Sequence, residues 1–158
     1  MLYRCMRDVT AALGYLHDSN IAHLNLKTSN ILYDHRSVWK ISDIGLTFTY
    51  ESNAYVPRNS LYAAPEQLKC SISDIKSDIF SFGVILYEIC HNTSNIDDFE
   101  KNLNTLEDSE GLPKSKYRIE SFHFGFDKLI RDMIRKSSDK RITIHGVSEA
   151  INAMLSDS

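Results

Sequence analysis

Apolar residues recur at Leu2, Met6, Val9, Leu13 and Leu16, steps of four and three that place them on one face of a helix ending near His17. Ile31 to Tyr33 and Val38 to Ile41 are short apolar runs parted by the polar Asp34-His35-Arg36-Ser37, a pattern that predicts a small hairpin. From Ile79 to His91 the chain is apolar on nearly every side, so a central helix enclosed by protein is expected rather than a surface helix. Phe126, Leu129, Ile130, Met133 and Ile134 mark another amphipathic helix, and Val147, Ile151, Met154 and Leu155 mark a last one. Thr47 to Arg58 has no sustained period and reads as a loop; Asn92 to Lys116 is polar, with a weak helical segment around Phe99, Leu103 and Leu106.

A chain of 158 residues with no internal repeat accommodates one core, and these elements suffice to enclose it. Eighteen Lys and Arg against 21 Asp and Glu leave a net charge of −3, and no basic run exceeds a pair such as Arg135-Lys136. That excludes an electrostatic footprint for nucleic acid or anionic lipid. Cys5, Cys70 and Cys90 have neither CxxC nor metal-site spacing, which fits a reducing cytosolic or nuclear setting, and a cytoplasmic location is expected. The longest apolar stretch is interrupted by Ser81, Gly83 and Glu88 and is too short to span a bilayer, and the first residues open into helical periodicity without a signal region. Neither secretion nor a membrane anchor is expected.

Candidate chemistry begins at His23-Leu24-Asn25-Leu26-Lys27-Thr28-Ser29-Asn30, followed after the hairpin by Asp43-Ile44-Gly45 and later by Ala64-Pro65-Glu66. Asp78-Ile79-Phe80-Ser81-Phe82-Gly83-Val84 and Lys140-Arg141-Ile142-Thr143 complete the series. In order and spacing these segments resemble the catalytic loop, Asp-Phe-Gly, Ala-Pro-Glu, central-helix and late Arg-Pro-Thr signatures of eukaryotic protein kinases. Five signatures in one order leave little room for chance. The resemblance spans essentially the whole chain but only the C-terminal one of the family's two lobes; a Gly-rich loop and a Val-Ala-Ile-Lys strand are absent from it.

The resemblance implies a mainly α fold of the α+β kinase family: one domain over residues 1–158, the C-lobe with the N-lobe absent, a helical bundle around a central buried helix with a small β-hairpin. It assigns Asn25 to the position of the catalytic aspartate. An amide carries no charge and is not a useful base, so Asn25 is either a neutral residue holding its turn or the seat of residual catalysis. Lys27 matches the lysine of the serine/threonine branch that steadies the transferred phosphate; a solvated surface lysine is the other account. Asn30 and Asp43 match the two magnesium-binding side chains, with hydrogen bonding across the loop as the alternative. Leu24 stands in place of the arginine that reads a phosphorylated activation loop. His23 is expected as a buried structural histidine kept in apolar contact by Ile44, Glu66 and Arg141 as an internal ion pair, and Asp78 as the acid that binds the loop backbone. Arg58 and Asn59 replace substrate-loop residues.

Two functions follow from these residues. One is a catalytically impaired pseudokinase lobe that acts as a binding or regulatory module; the other is a truncated serine/threonine kinase transferring the ATP γ-phosphate to protein hydroxyls. No cofactor is expected for the chain by itself, and Mg-ATP only where an N-lobe is supplied. A protein partner is expected at the surface that normally faces the N-lobe.

Overall fold

The computed structural model describes residues 1–44, 61–69, 74–90 and 124–156. Helix α1 (Leu2–Asp18) buries Met6, Val9, Leu13 and Leu16 of the stripe that the periodicity marks, adds Cys5, Thr10 and His17, and leaves Leu2 half-buried. It ends because Asn20 turns left-handed (φ 55°), one of the few residue types that tolerates that conformation. Asn20 N–H then donates to His17 C=O (2.9 Å) and Ile21 N–H to Leu16 C=O (2.9 Å), closing the last turn.

Strands β1 (Ile31–Tyr33) and β2 (Trp39–Ile41) pair antiparallel, with Ile31 opposite Ile41 and Tyr33 opposite Trp39. The loop between them is organised by Asp34. Its carboxylate accepts from the N–H groups of Arg36 (2.8 Å) and Val38 (3.0 Å) and pairs with Lys40 (2.7 Å). The Lys40 bond and these backbone donors hold the Asp34 carboxyl below its usual range. Trp39 N–H donates to Asp8 (3.2 Å), which fastens the hairpin to α1.

A single turn, α2 (Pro65–Leu68), precedes α3 (Ile75–Cys90), and two further helices follow, α4 (Phe124–Met133) and α5 (Ile144–Ser156). Helix α3 is the centre, with Ser77 to Tyr87 buried without a break. It therefore shows no polar face to water. Helix α5 packs on α1, and α4 packs on α3. The mainly helical fold with a central buried helix and one small hairpin is the architecture that the pattern predicts, with α3 beginning four residues earlier than its apolar run. Leu155 differs from expectation: it is 42% exposed, one step round the helix from Met154, which is buried in the core. The expected loop at 47–58, the polar stretch at 92–116, Cys70, Arg58 and Asn59 lie outside the described residues.

Cys5 and Cys90 are free and buried, and burial pushes their thiols up to about 11 and about 12, which keeps them protonated and unreactive. No helix among the described residues is long and apolar enough to cross a membrane.

Helices α3 and α4 approach closely at Gly83, where a Cβ would stand 2.8 Å from Met133 Cβ and 2.8 Å from Ile134 Cγ2. One of these is the root of a side chain and cannot swing away. Gly83→Ala is therefore expected to destabilise the fold by ~1–3 kcal/mol through overpacking, despite alanine's better helix propensity. Urea denaturation checks this; an unchanged or raised midpoint would mean that α3 and α4 part at little cost.

Candidate functional site

The segment from His23 to Asn30 has little regular structure, and its shape is imposed by partners from elsewhere in the chain. Asp78, fully buried in the first turn of α3, is the main one. His17 Nε2 and His23 N–H donate to its Oδ2 (2.9 and 2.8 Å), and Leu24 N–H donates to its Oδ1 (2.7 Å). A buried carboxylate needs such donors to offset lost hydration. Leu24 is thereby held at φ 57°, a left-handed conformation that costs a side-chain-bearing residue roughly 1–2 kcal/mol.

His23 is fully buried and reaches forward past the hairpin. Its Nε2 donates to the carbonyl of Ser42 (2.8 Å), which leaves Nδ1 to accept from Asn25 N–H (3.3 Å). One ring thus spans the segment and the residue next to Asp43, with the proton on Nε2. Ile44 is 46% exposed, and a hydrogen bond to the Ser42 carbonyl joins His23 to this stretch. Asn30, 3% exposed, donates from Nδ2 to the carbonyl of Asn25 (2.9 Å), and its own carbonyl accepts from Ser42 N–H (2.9 Å).

Asn25, Asn30, His23 and the start of the Asp43 turn are therefore brought together by bonds that leave the Asn25 side chain out of the scaffold. Asn25 and Lys27 are half-buried, while Asp43 is exposed with φ 61°. Asn30 Oδ1 and the Asp43 carboxylate are hard oxygen donors of the kind Mg²⁺ takes, and the committed Nδ2 of Asn30 fixes which amide atom is left for a cation. Among the described residues no cluster of three or more His, Cys, Asp or Glu could hold a metal by protein groups alone. Any cation held by Asn30 and Asp43 would need other oxygens, as when it bridges phosphates.

A second anchor lies on the far side of α3. Arg141 Nη1 and Nη2 donate to Glu66 Oε1 and Oε2 (2.7 and 3.1 Å), a two-pronged pair. Arg141 also donates to the carbonyls of Lys76 (2.7 Å) and Arg135 (3.0 Å) and stacks over Phe80 at 5.2 Å; Lys76 Nζ returns a bond to the Arg141 carbonyl. Ser77 Oγ donates to Glu66 (2.9 Å). Burial by itself raises the Glu66 carboxyl, but the bonds from Arg141 and Ser77 outweigh it and the net displacement is downward.

Sequence reasoning overlooked three contributors. His17 was legible as a polar residue on the buried face of α1. Tyr62 donates to Glu88 (2.5 Å) and meets Thr28 Oγ1 (3.2 Å), and burial together with Glu88 pushes its hydroxyl up to about 12. Gln67, 2% exposed, donates from Nε2 to the Leu24 carbonyl (3.2 Å), a contact that no local pattern announces.

The model of the protein kinase domain family matches residues 2–152. The chain is similar to a probable protein kinase of Dictyostelium discoideum, 29% identical over 93% of this chain and 41% of that protein. It is 31% identical to a putative serine/threonine-protein kinase/receptor of Acanthamoeba polyphaga mimivirus, over 98% of this chain and 9% of that one. It is 38% identical to the proto-oncogene serine/threonine-protein kinase mos of Sus scrofa, over 56% of this chain and 28% of that one. The chain thus spans well under half the length of these relatives.

The Glu66 anchor has a defined pH signature. An unfolded glutamate titrates near ~4.3 and Glu66 lower, so its contribution is complete above ~4.3 and is lost as pH falls through the folded value. Glu66→Ala is expected to cost about 3 kcal/mol at pH 7, where it strands a buried guanidinium. The gap from wild type should narrow when urea melts are repeated near pH 3; an equal gap at both pH values would exclude an ionic pair.

Proposed function

The chain belongs to the protein kinase domain family, and from that premise we propose that it is a C-terminal lobe which acts by binding, as a scaffold or regulatory module, without phosphoryl transfer of its own. The observation that carries this reading is Asn25. In phosphoryl transfer by kinases an aspartate at this position accepts the proton of the attacking hydroxyl, and an amide neither takes that proton nor supplies negative charge. The loop around Asn25 is nevertheless fully braced: its N–H bonds to His23 and its carbonyl to Asn30. Shape kept without the base supports a role in which the loop is a surface and not a reaction centre.

Under the same proposal Lys27 is a surface lysine, Asn30 serves as a loop brace, and His23, Asp78, Glu66 and Arg141 maintain the lobe. A protein partner covers the hairpin side, where Leu32, Tyr33 and Ile44 are about half exposed. A serine/threonine kinase is the second reading, favoured by Lys27, Asn30 and Asp43 at the transfer and magnesium positions and by relatives of that description. Mg²⁺ held by Asn30 and Asp43 would neutralise phosphate charge, with Lys27 beside the transferred group.

Two measurements separate the readings. The chain by itself is expected to give no saturable thermal shift with Mg-ATP at micromolar concentration, since ligand that binds the native state raises stability once it exceeds Kd. A clear shift would favour the kinase reading. Joined to a kinase N-lobe, the Asn25 protein should stay near background on a generic serine/threonine substrate, and Asn25→Asp should raise transfer by roughly 10²-fold or more. Equal rates for the two forms would overturn the binding-module reading.

A further inference from the structure

Arg7, Ala11, Gly14 and Asp18 recur along α1 at steps of four, three and four, with Tyr15 beside Gly14, so all five share one face of the helix. That face lies opposite the stripe of Met6, Val9, Leu13 and Leu16 that meets the core. It borders a groove of about 550 Å³ between α1 and α5, whose other wall carries His145, Ser148 and Asn152. The groove is open over Gly14, where a Cβ would meet no atom of the surrounding structure within 4 Å. Next to this opening stands Tyr15, an aromatic side chain that is 77% exposed. The two ends of the face carry opposite charges. Asp18 Oδ1 accepts from His145 Nε2 (2.9 Å), and among the described residues the Arg7 guanidinium pairs only with its neighbour Asp8, at 3.3 Å.

We infer that this face of α1 is a self-complementary docking surface whose partner is a second copy of the chain, packed antiparallel about a two-fold axis. A two-fold interface sets residue i against residue j and j against i, so it requires a patch that complements its own reverse. With the axis level with the Ala12–Leu13 peptide, Arg7 faces the partner's Asp18, Ala11 the partner's Gly14, and Tyr15 the partner's Thr10, which lines the groove. The charged residues are about 16 Å apart along the helix, so both ion pairs form together, one at each end. Small residues at the crossing let the helix axes approach to about 8 Å, and each Tyr15 ring then enters the groove of the other copy where Gly14 leaves it open. Exposed ion pairs set the register more than the affinity, which comes from burial of the two tyrosines. A parallel arrangement would set like charges against each other at both ends. The inference holds whether the chain binds or catalyses, and none of the residues involved belongs to the hairpin side.

Sedimentation velocity on the full 158-residue chain tests this. Over roughly 10 to 500 µM, a range that brackets a micromolar Kd, it should show a reversible monomer–dimer equilibrium; a monomer throughout would overturn the inference. Gly14→Gln adds a side chain where the monomer has room and improves helix propensity, so the thermal midpoint should stay level or rise while association weakens by ~10-fold or more. A dimer indifferent to Gly14→Gln would lie on another face and overturn the assignment. Charge reversal reads the register: Arg7→Glu sets a carboxylate against Asp18 at both ends, Asp18→Arg sets a guanidinium against Arg7, and each variant alone should associate ~10-fold more weakly. Mixed in equal amounts the two variants should dimerise again, because each end then pairs an acid with a base. Unweakened single variants, or no recovery of dimer on mixing, would overturn the antiparallel pairing.

Discussion

A buried carboxylate is tolerable only if donors surround it, and Asp78 meets that condition by taking three from two parts of the chain. His17 comes from the end of α1, and the N–H groups of His23 and Leu24 come from the loop that follows. Satisfying this one group ties the end of α1 to the loop and engages two successive backbone N–H groups of that loop. Removing any of the three donors leaves a charge short of hydration inside the protein, a larger penalty than the gain from any single hydrogen bond.

The second constraint is of a different kind. Arg141 and Glu66 form an ionic pair braced by carbonyls and by Ser77, and they tie the turn of α2 to the start of α3 and to the segment before α5. Gln67 follows Glu66 directly in sequence and reaches the opposite way, to Leu24. One short turn therefore carries a charged contact on one side and a neutral one on the other, which links the two anchors through adjacent residues.

Because these anchors bind backbone groups of the loop, the loop's form is largely independent of the side chain at position 25. An aspartate and an asparagine have nearly the same volume, and among the described residues none of the bonds that brace this loop passes through the Asn25 side chain. Shape and base chemistry are thus separable in this fold. That separability is what the proposed binding-module reading requires.

The sequence by itself determined the elements and their burial: the stripe on α1, the all-round apolar character of α3 and the paired runs of the hairpin are periodic properties, and periodicity is local. It also marked Asn25, Asn30, Asp43, Glu66, Asp78 and Arg141, since their spacing matches a known series. Only the tertiary structure decided the partners. Glu66 meets Arg141 across 75 residues, Asp78 meets His17 across 61, and Gln67 meets Leu24 across 43. A buried polar group is satisfied by whatever the packing brings within 3 Å, and that depends on helix placement over distances that no local pattern encodes. The left-handed turn at Leu24 was equally illegible, because leucine does not choose that conformation by itself, and the bonds to Asp78 and Gln67 that accompany it come from elsewhere in the chain.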